Sequence, residues 1–178
     1  MSDDAIYRAY HDTEWGVPVH DDQKLFEAVV LDAFQAGLSW LTILKKRENF
    51  RRAFDNFDAR KIAKYDEKKI TSLMKDAGII RNQLKIRATI TNAQNFLQVQ
   101  KEFGSFDKYI WHFVGGKPKI NKWKNYKQLP PRSKESDAMS ADMKARGFKF
   151  VGSTICYAFM QAVGMINDHT VDCFRYKK

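Results

Sequence analysis

Lys75–Arg87, KDAGIIRNQLKIR, is the stretch that decides the fold. An amphipathic run ends at Asp76–Ala77, Gly78 turns the backbone, Ile79 and Ile80 plug the turn, and a second periodic segment starts near Asn82. That pattern predicts a helix–hairpin–helix. Its turn (Ala77, Gly78, Ile79, Ile80, Arg81) and the start of the second helix carry amides with no intrahelical partner. Pointing outward, they can hold a backbone phosphate without reading bases. Arg81, Lys85 and Arg87 add positive charge on or near the turn. An ordinary glycine-capped turn between two helices would be written with the same letters.

Outward from the hairpin the pattern stays helical, so the fold class is all-α. Asp21 or Asp22 can cap a helix to about Ala36 whose apolar residues, among them Leu25, Phe26, Val29, Val30 and Phe34, cover most of its circumference. A helix wrapped that way is buried. Gly37 ends it, and Ser39 caps the next, Trp40 to about Phe54, with a basic outer face. Asp58 and Asp66 open two short helices, the second leading into the hairpin. Asn82 to about Phe103 forms a long helix, followed by a segment over Phe106–Val114. Ser133 or Ser136 caps a helix to Arg146, and an apolar helix from Ser153 to Ile166 ends at Gly164, within its last turn. Phe148–Val151 is the one stretch that reads as extended.

Residues 117–134 interrupt this order. They hold seven basic side chains, no acidic ones, and three of the four prolines, with Trp123 and Tyr126 among them. Such a loop can lie along a nucleic-acid backbone or serve as a solvated connector.

The whole chain, 178 residues with 44% hydrophobic content, suffices for one domain or two small lobes sharing a core. A net charge of +10 favours a polyanionic partner. No apolar run approaches a membrane span, no helix has the basic-and-aromatic faces of a membrane-surface segment, and the polar N-terminus is not a signal peptide. Two cysteines, Cys156 and Cys173, are too few for a disulfide scaffold and suit a reducing cytoplasm.

Three groups of residues can carry chemistry. Asp32 shares the apolar face of Leu25, Val29 and Ala36, and a carboxylate buried there must be paired, protonated or used. A buried arginine, or the helix start at Ser39–Leu41, would satisfy it structurally. Tyr7, Tyr10, Trp15 and Trp40 lie on the short stretches flanking that helix. Rings beside one carboxylate suit a flat, positively charged ring, although any single aromatic is more often core. Finally, His11 near the start and the His169-x3-Cys173 pair near the end, i and i+4 if helical, offer three metal ligands where structural zinc wants four.

Long blocks of the chain resemble the 3-methyladenine DNA glycosylase I family: YHDTEWGVP at 10–18, QAGLSWLTILKKRENFRRAF at 35–54, DAGIIRNQLKI at 76–86 and RGFKFVGSTICYAFMQAVGMINDH at 146–169. The resemblance runs from about Tyr7 to Cys173. It implies a single-domain, compact helical helix–hairpin–helix glycosylase of two lobes around a base-binding cleft. Such an enzyme flips an N3-methylated adenine out of double-stranded DNA and hydrolyses its N-glycosidic bond, acting as a monomer without an obligate protein partner. The family's base pocket falls on Tyr7, Tyr10, Trp15, Asp32 and Trp40, its DNA wedge on Gln35, Ala36, Gly37 and Leu38, and its phosphate hairpin on Ala77–Arg81. Its structural zinc site falls on His11, His169 and Cys173. Two departures stand out. The family usually has glutamate where this chain has Asp32, which draws the carboxylate back by about 1.5 Å. The family's fourth zinc ligand, a cysteine, falls a few residues before Met1. The shortened acid leaves open a non-catalytic paralogue that binds damaged or abasic DNA, and a plain basic DNA-binding domain would fit the charge but not the pocket rings.

Overall fold

The computed structural model describes residues 4–176. Its helices are α1 (Ala5–Thr13), α2 (Asp22–Gln35), α3 (Trp40–Ala53), α4 (Ala59–Ile62), α5 (Glu67–Lys75), α6 (Gln83–Phe103), α7 (Phe106–Trp111), α8 (Lys134–Ala145) and α9 (Ser153–Ala162). Short polar side chains start most of them by accepting a hydrogen bond from an orphan amide of the first turn. Asp21 caps α2, Ser39 α3, Asp58 α4, Asp66 α5, Asn82 α6 and Ser133 α8. Ser39, Asp58 and Asp66 are the caps the sequence pattern predicts, Asp21 and Ser133 take the role over Asp22 and Ser136, and Asn82 caps the helix whose start the pattern placed there.

α2 is the central helix. It packs against α3, α6, α7 and α9, and Leu25, Phe26, Val30 and Phe34 are fully buried on it. The rings of Phe34, Phe50 and Phe54 meet within 6 Å, giving the α2–α3 seam an aromatic filling. No helix among the described residues is long and apolar enough to cross a membrane.

Three local expectations are corrected. The tyrosines at positions 7 and 10 sit on a full helix, α1, started by the Asp4 side chain. The apolar C-terminal helix stops at Ala162, four residues short of the predicted Ile166. Gly164 explains the stop: its φ is +71°, and a Cβ there would overlap the backbone of Val17 and Pro18. Released from the helix, Ile166–Asn167 (β2) pairs in parallel with Lys119–Ile120 (β1), so the only strands among the described residues lie where none was expected, and Phe148–Val151 forms none. The pairing fastens the basic loop to the C-terminal segment.

Candidate active site

Asp32 projects from the third turn of α2 and is 3% exposed. Neither structural partner foreseen for it is present. No donor reaches it, and its Oδ2 is buried without a hydrogen bond. Behind it only a void of about 10 Å³ separates it from Met139, Met143 and Cys156. In front lies a cavity of about 380 Å³, a size typical of small-molecule sites. Burial alone pushes the Asp32 carboxyl up to about 8, because the anion has lost water and gained nothing in return.

The four predicted rings converge on this cavity. Tyr7 and Tyr10 descend from α1, Trp40 stands at the start of α3, and Trp15 follows α1; all line it. Tyr10 and Trp40 meet at 5.4 Å with their planes tilted by 55°. The Trp40 indole N–H is buried without an acceptor, a second unspent polar group at the wall. The result is an apolar slot with one acceptor and one donor unmet, which a planar polar ligand would complete.

No local pattern places several other wall residues at this cavity. Tyr126 and Leu129 come from the basic loop, and Gln161 comes from α9. Asp168 also lines the cavity, but it is the opposite of Asp32. Its carboxylate accepts from Asn121 Nδ2, Trp123 Nε1, Tyr157 OH and Gln161 Nε2, at 2.6–2.7 Å. Four donors hold it fixed. The only clue to it in the sequence is its place beside His169.

Gln35 lines the cavity and leads into Ala36, Gly37 and Leu38, a turn closed by the Leu38 amide on the Gln35 carbonyl. Gly37 has φ +79°, and Leu38 is 40% exposed at the lip. An apolar side chain held outward on a tight turn is shaped to enter a base stack.

The hairpin forms where predicted, with two changes. Gly78 has no left-handed φ; it is required because a Cβ would press on Asn49 and Asp76. Its amide is already taken by Asp76 Oδ1 at 2.7 Å, and the Ile79 amide by the Asp76 carbonyl. Among the described residues the Ala77, Ile80 and Arg81 amides have no acceptor, so open donors sit on both sides of Gly78. Of the three cations expected nearby, only Arg81 is free. Arg87 forms a two-pronged pair with Glu67 at 2.7 Å. Lys85 is buried, its ammonium donating to the Phe34 and Ala36 carbonyls at 2.7 and 2.6 Å.

His11, His169 and Cys173 do come together, their ligand atoms all within 4.8 Å of one another. The 169–173 segment is a non-helical turn, so it is the turn, not helical i,i+4 spacing, that brings the pair together. Both rings are set for a metal by the nitrogen they use elsewhere. His11 Nδ1 donates to Asp12 and His169 Nδ1 to Asn167, which leaves both Nε2 lone pairs facing the cluster. His169 Nε2 is buried with no partner. Burial, with His11 beside it, depresses the His169 ring to about 4, the neutral form a metal needs. The donor set therefore fits a metal ion.

A helical frame around a ring-lined slot with one unmet carboxylate is the architecture of enzymes that take single bases out of DNA. The comparisons with known proteins agree. The methyladenine glycosylase family profile matches residues 1–176. DNA-3-methyladenine glycosylase 1 of Escherichia coli is 49% identical over 176 residues, 99% of this chain and 94% of that protein. A crystal structure of 3-methyladenine DNA glycosylase I superimposes with a TM-score of 0.96 at 48% identity, covering 99% of this chain and 97% of that one. A tyrosine-to-phenylalanine variant of a 3-methyladenine DNA glycosylase I, solved in complex with 3-methyladenine, gives 0.96 at 35% identity over 99% and 95%. This chain belongs to the methyladenine glycosylase family.

Proposed function

We propose that the protein excises 3-methyladenine from alkylated duplex DNA, hydrolysing the N-glycosidic bond and leaving an abasic site. One observation carries the mechanism: Asp32 is buried, unpartnered and open to a base-sized, ring-walled cavity. Methylation at N3 makes the purine a cation and a good leaving group, so a strong general acid is unnecessary. The site has to tell the cation from neutral adenine. An ionised Asp32 is costly in an empty slot and favourable beside a positive ring, so binding the damaged base draws off the Asp32 proton. Tyr7, Tyr10, Trp15 and Trp40 hold the base by stacking and cation–π attraction. A cationic base is also cheaper to unstack than a normal one. Water then attacks C1′ of the strained nucleotide.

The rest of the molecule holds the DNA. In this reading the Ala77–Arg81 hairpin grips a phosphate through its open amides and Arg81, and Gln35–Leu38 fills the gap left by the flipped base. Zinc held by His11, His169 and Cys173, with a further donor completing its shell, is structural and ties α1 to the C-terminal turn. One copy of the chain acts alone.

The test is release of free 3-methyladenine from methylated duplex DNA by wild type, Asp32→Ala and Asp32→Glu. Wild type releases the base, Asp32→Ala loses about 10²-fold, and Asp32→Glu, which reaches further into the slot, matches or exceeds wild type. A wild-type rate in Asp32→Ala removes that carboxylate from the mechanism.

A further inference from the structure

The basic loop supplies more than cavity wall. It runs out from β1, and its backbone is fixed at several points. Trp123 turns inward, donating its indole N–H to Asp168, while its carbonyl accepts from the Val171 amide at 2.9 Å. Asn121 donates to the same carboxylate, and Gln128 Oε1 takes the Lys124 amide at 2.7 Å. Trp123 is half-buried, and the side chains on either side of it, Lys122 and Lys124, are exposed. Lys127 is exposed one residue past Tyr126.

Two of the loop's cations meet carboxylates: Lys119 pairs with Glu135 at 2.7 Å, and Arg132 stands 3.7 Å from Asp137. Among the described residues, Lys122, Lys124 and Lys127 have no carboxylate within ion-pair distance. They flank Tyr126, which is 74% exposed yet lines the cavity, so it stands at the mouth. Gln35, which opens the Leu38 turn, lines the same cavity from another element. A nucleotide entering the cavity passes between these two lips, and its own 5′ and 3′ phosphates stay outside with the strand.

We infer that Lys122, Lys124 and Lys127 form a second phosphate grip, on the lip facing the Gln35–Leu38 turn, holding the DNA strand that delivers the flipped nucleotide. This rests on the glycosylase reading above for its substrate. The hairpin would then hold the duplex at one point and the loop at another, with the cavity between them. Contacts of this kind carry no base specificity, and they act on damaged and undamaged DNA alike.

The experiment is duplex binding against salt concentration, with an undamaged oligonucleotide and one carrying a stable abasic-site analogue. The probe variant is Lys122→Gln/Lys124→Gln/Lys127→Gln. A control of equal charge, Lys101→Gln/Lys108→Gln/Lys144→Gln, lies outside both lips. Each phosphate contact contributes about 0.9 to the slope of log K on log salt, so the loop variant loses about 2 to 3 in slope on both duplexes, while the control stays within about 0.5 of wild type. Affinity for free 3-methyladenine is unchanged in both, which shows that the cavity is intact. An unchanged slope in the loop variant, or an equal loss in the control, overturns the grip. Failure of wild type to release base would instead defeat the catalytic reading and leave this slope measurement standing.

Discussion

Asp32 stands out by what it lacks. Its twin in burial, Asp168, has four donors and is architecture; Asp32 has none and remains available. A carboxyl held near 8 in the folded chain, against about 3.8 unfolded, keeps its proton in the native state while the unfolded chain has already released it. Between those values the native state binds more protons, so stability is highest below about pH 4 on this account and falls as pH rises towards 8, by up to about 1.4 kcal/mol per unit. Urea melts of wild type and Asp32→Asn at pH 5 and 7.5 should show wild type losing the stability that the variant keeps. Activity runs the other way. The anion is the form that meets the cationic base, so kcat/KM for excision should rise with pH and level off near 8, with Asp32→Asn low and flat across the range.

At the scale of elements, one lysine joins the hairpin to the Gln35–Leu38 turn. Lys85 belongs to α6, the second helix of the hairpin, yet its ammonium closes the C-terminal end of α2 by taking the Phe34 and Ala36 carbonyls. Those carbonyls sit just after Asp32 and just before the Gly37–Leu38 turn. The contact fixes the hairpin relative to the Gln35–Leu38 turn and to Asp32, and it explains why a lysine is tolerated at 7% exposure. Burial lowers its pKa, while the two carbonyls favour its protonated form. Lys85→Met should reduce stability by about 1–3 kcal/mol and slow excision from duplex DNA about tenfold, while the affinity for free 3-methyladenine stays within about threefold of wild type. Equal losses in both would mark Lys85 as a purely structural support. The hairpin was legible as a glycine turn between two helices, although the same letters also write an ordinary capped turn. The fates of Lys85 and Arg87 were not, since helical spacing says which face a residue occupies but not what is packed against that face.

Across the whole molecule, the two ends of the chain meet at the cavity. His11 follows the α1 tyrosines, His169 and Cys173 follow β2, and the Trp15 ring packs on the His169 ring at 4.6 Å. A metal there would hold the pocket wall as well as the termini. Protein purified without added zinc should contain close to one metal equivalent, and less than about a tenth would reject the site. A chelator should lower Tm by about 5 °C or more, with no such drop in Cys173→Ser.

The sequence by itself determined the helical frame, the caps, the hairpin and the family. Those depend on local periodicity, on side chains that bond to nearby amides, and on long matching blocks, all readable along one line of letters. It also marked Asp32 as a carboxylate in an apolar helix. Whether that acid was sealed or open, which of two buried aspartates was spent, which lysine was taken up by a helix end and which stayed exposed, and how a basic loop reached the mouth of the cavity were settled only by the tertiary structure. Burial and pairing depend on neighbours brought from 50 or more residues away along the chain, as Lys85 is from Phe34, and no local pattern records them.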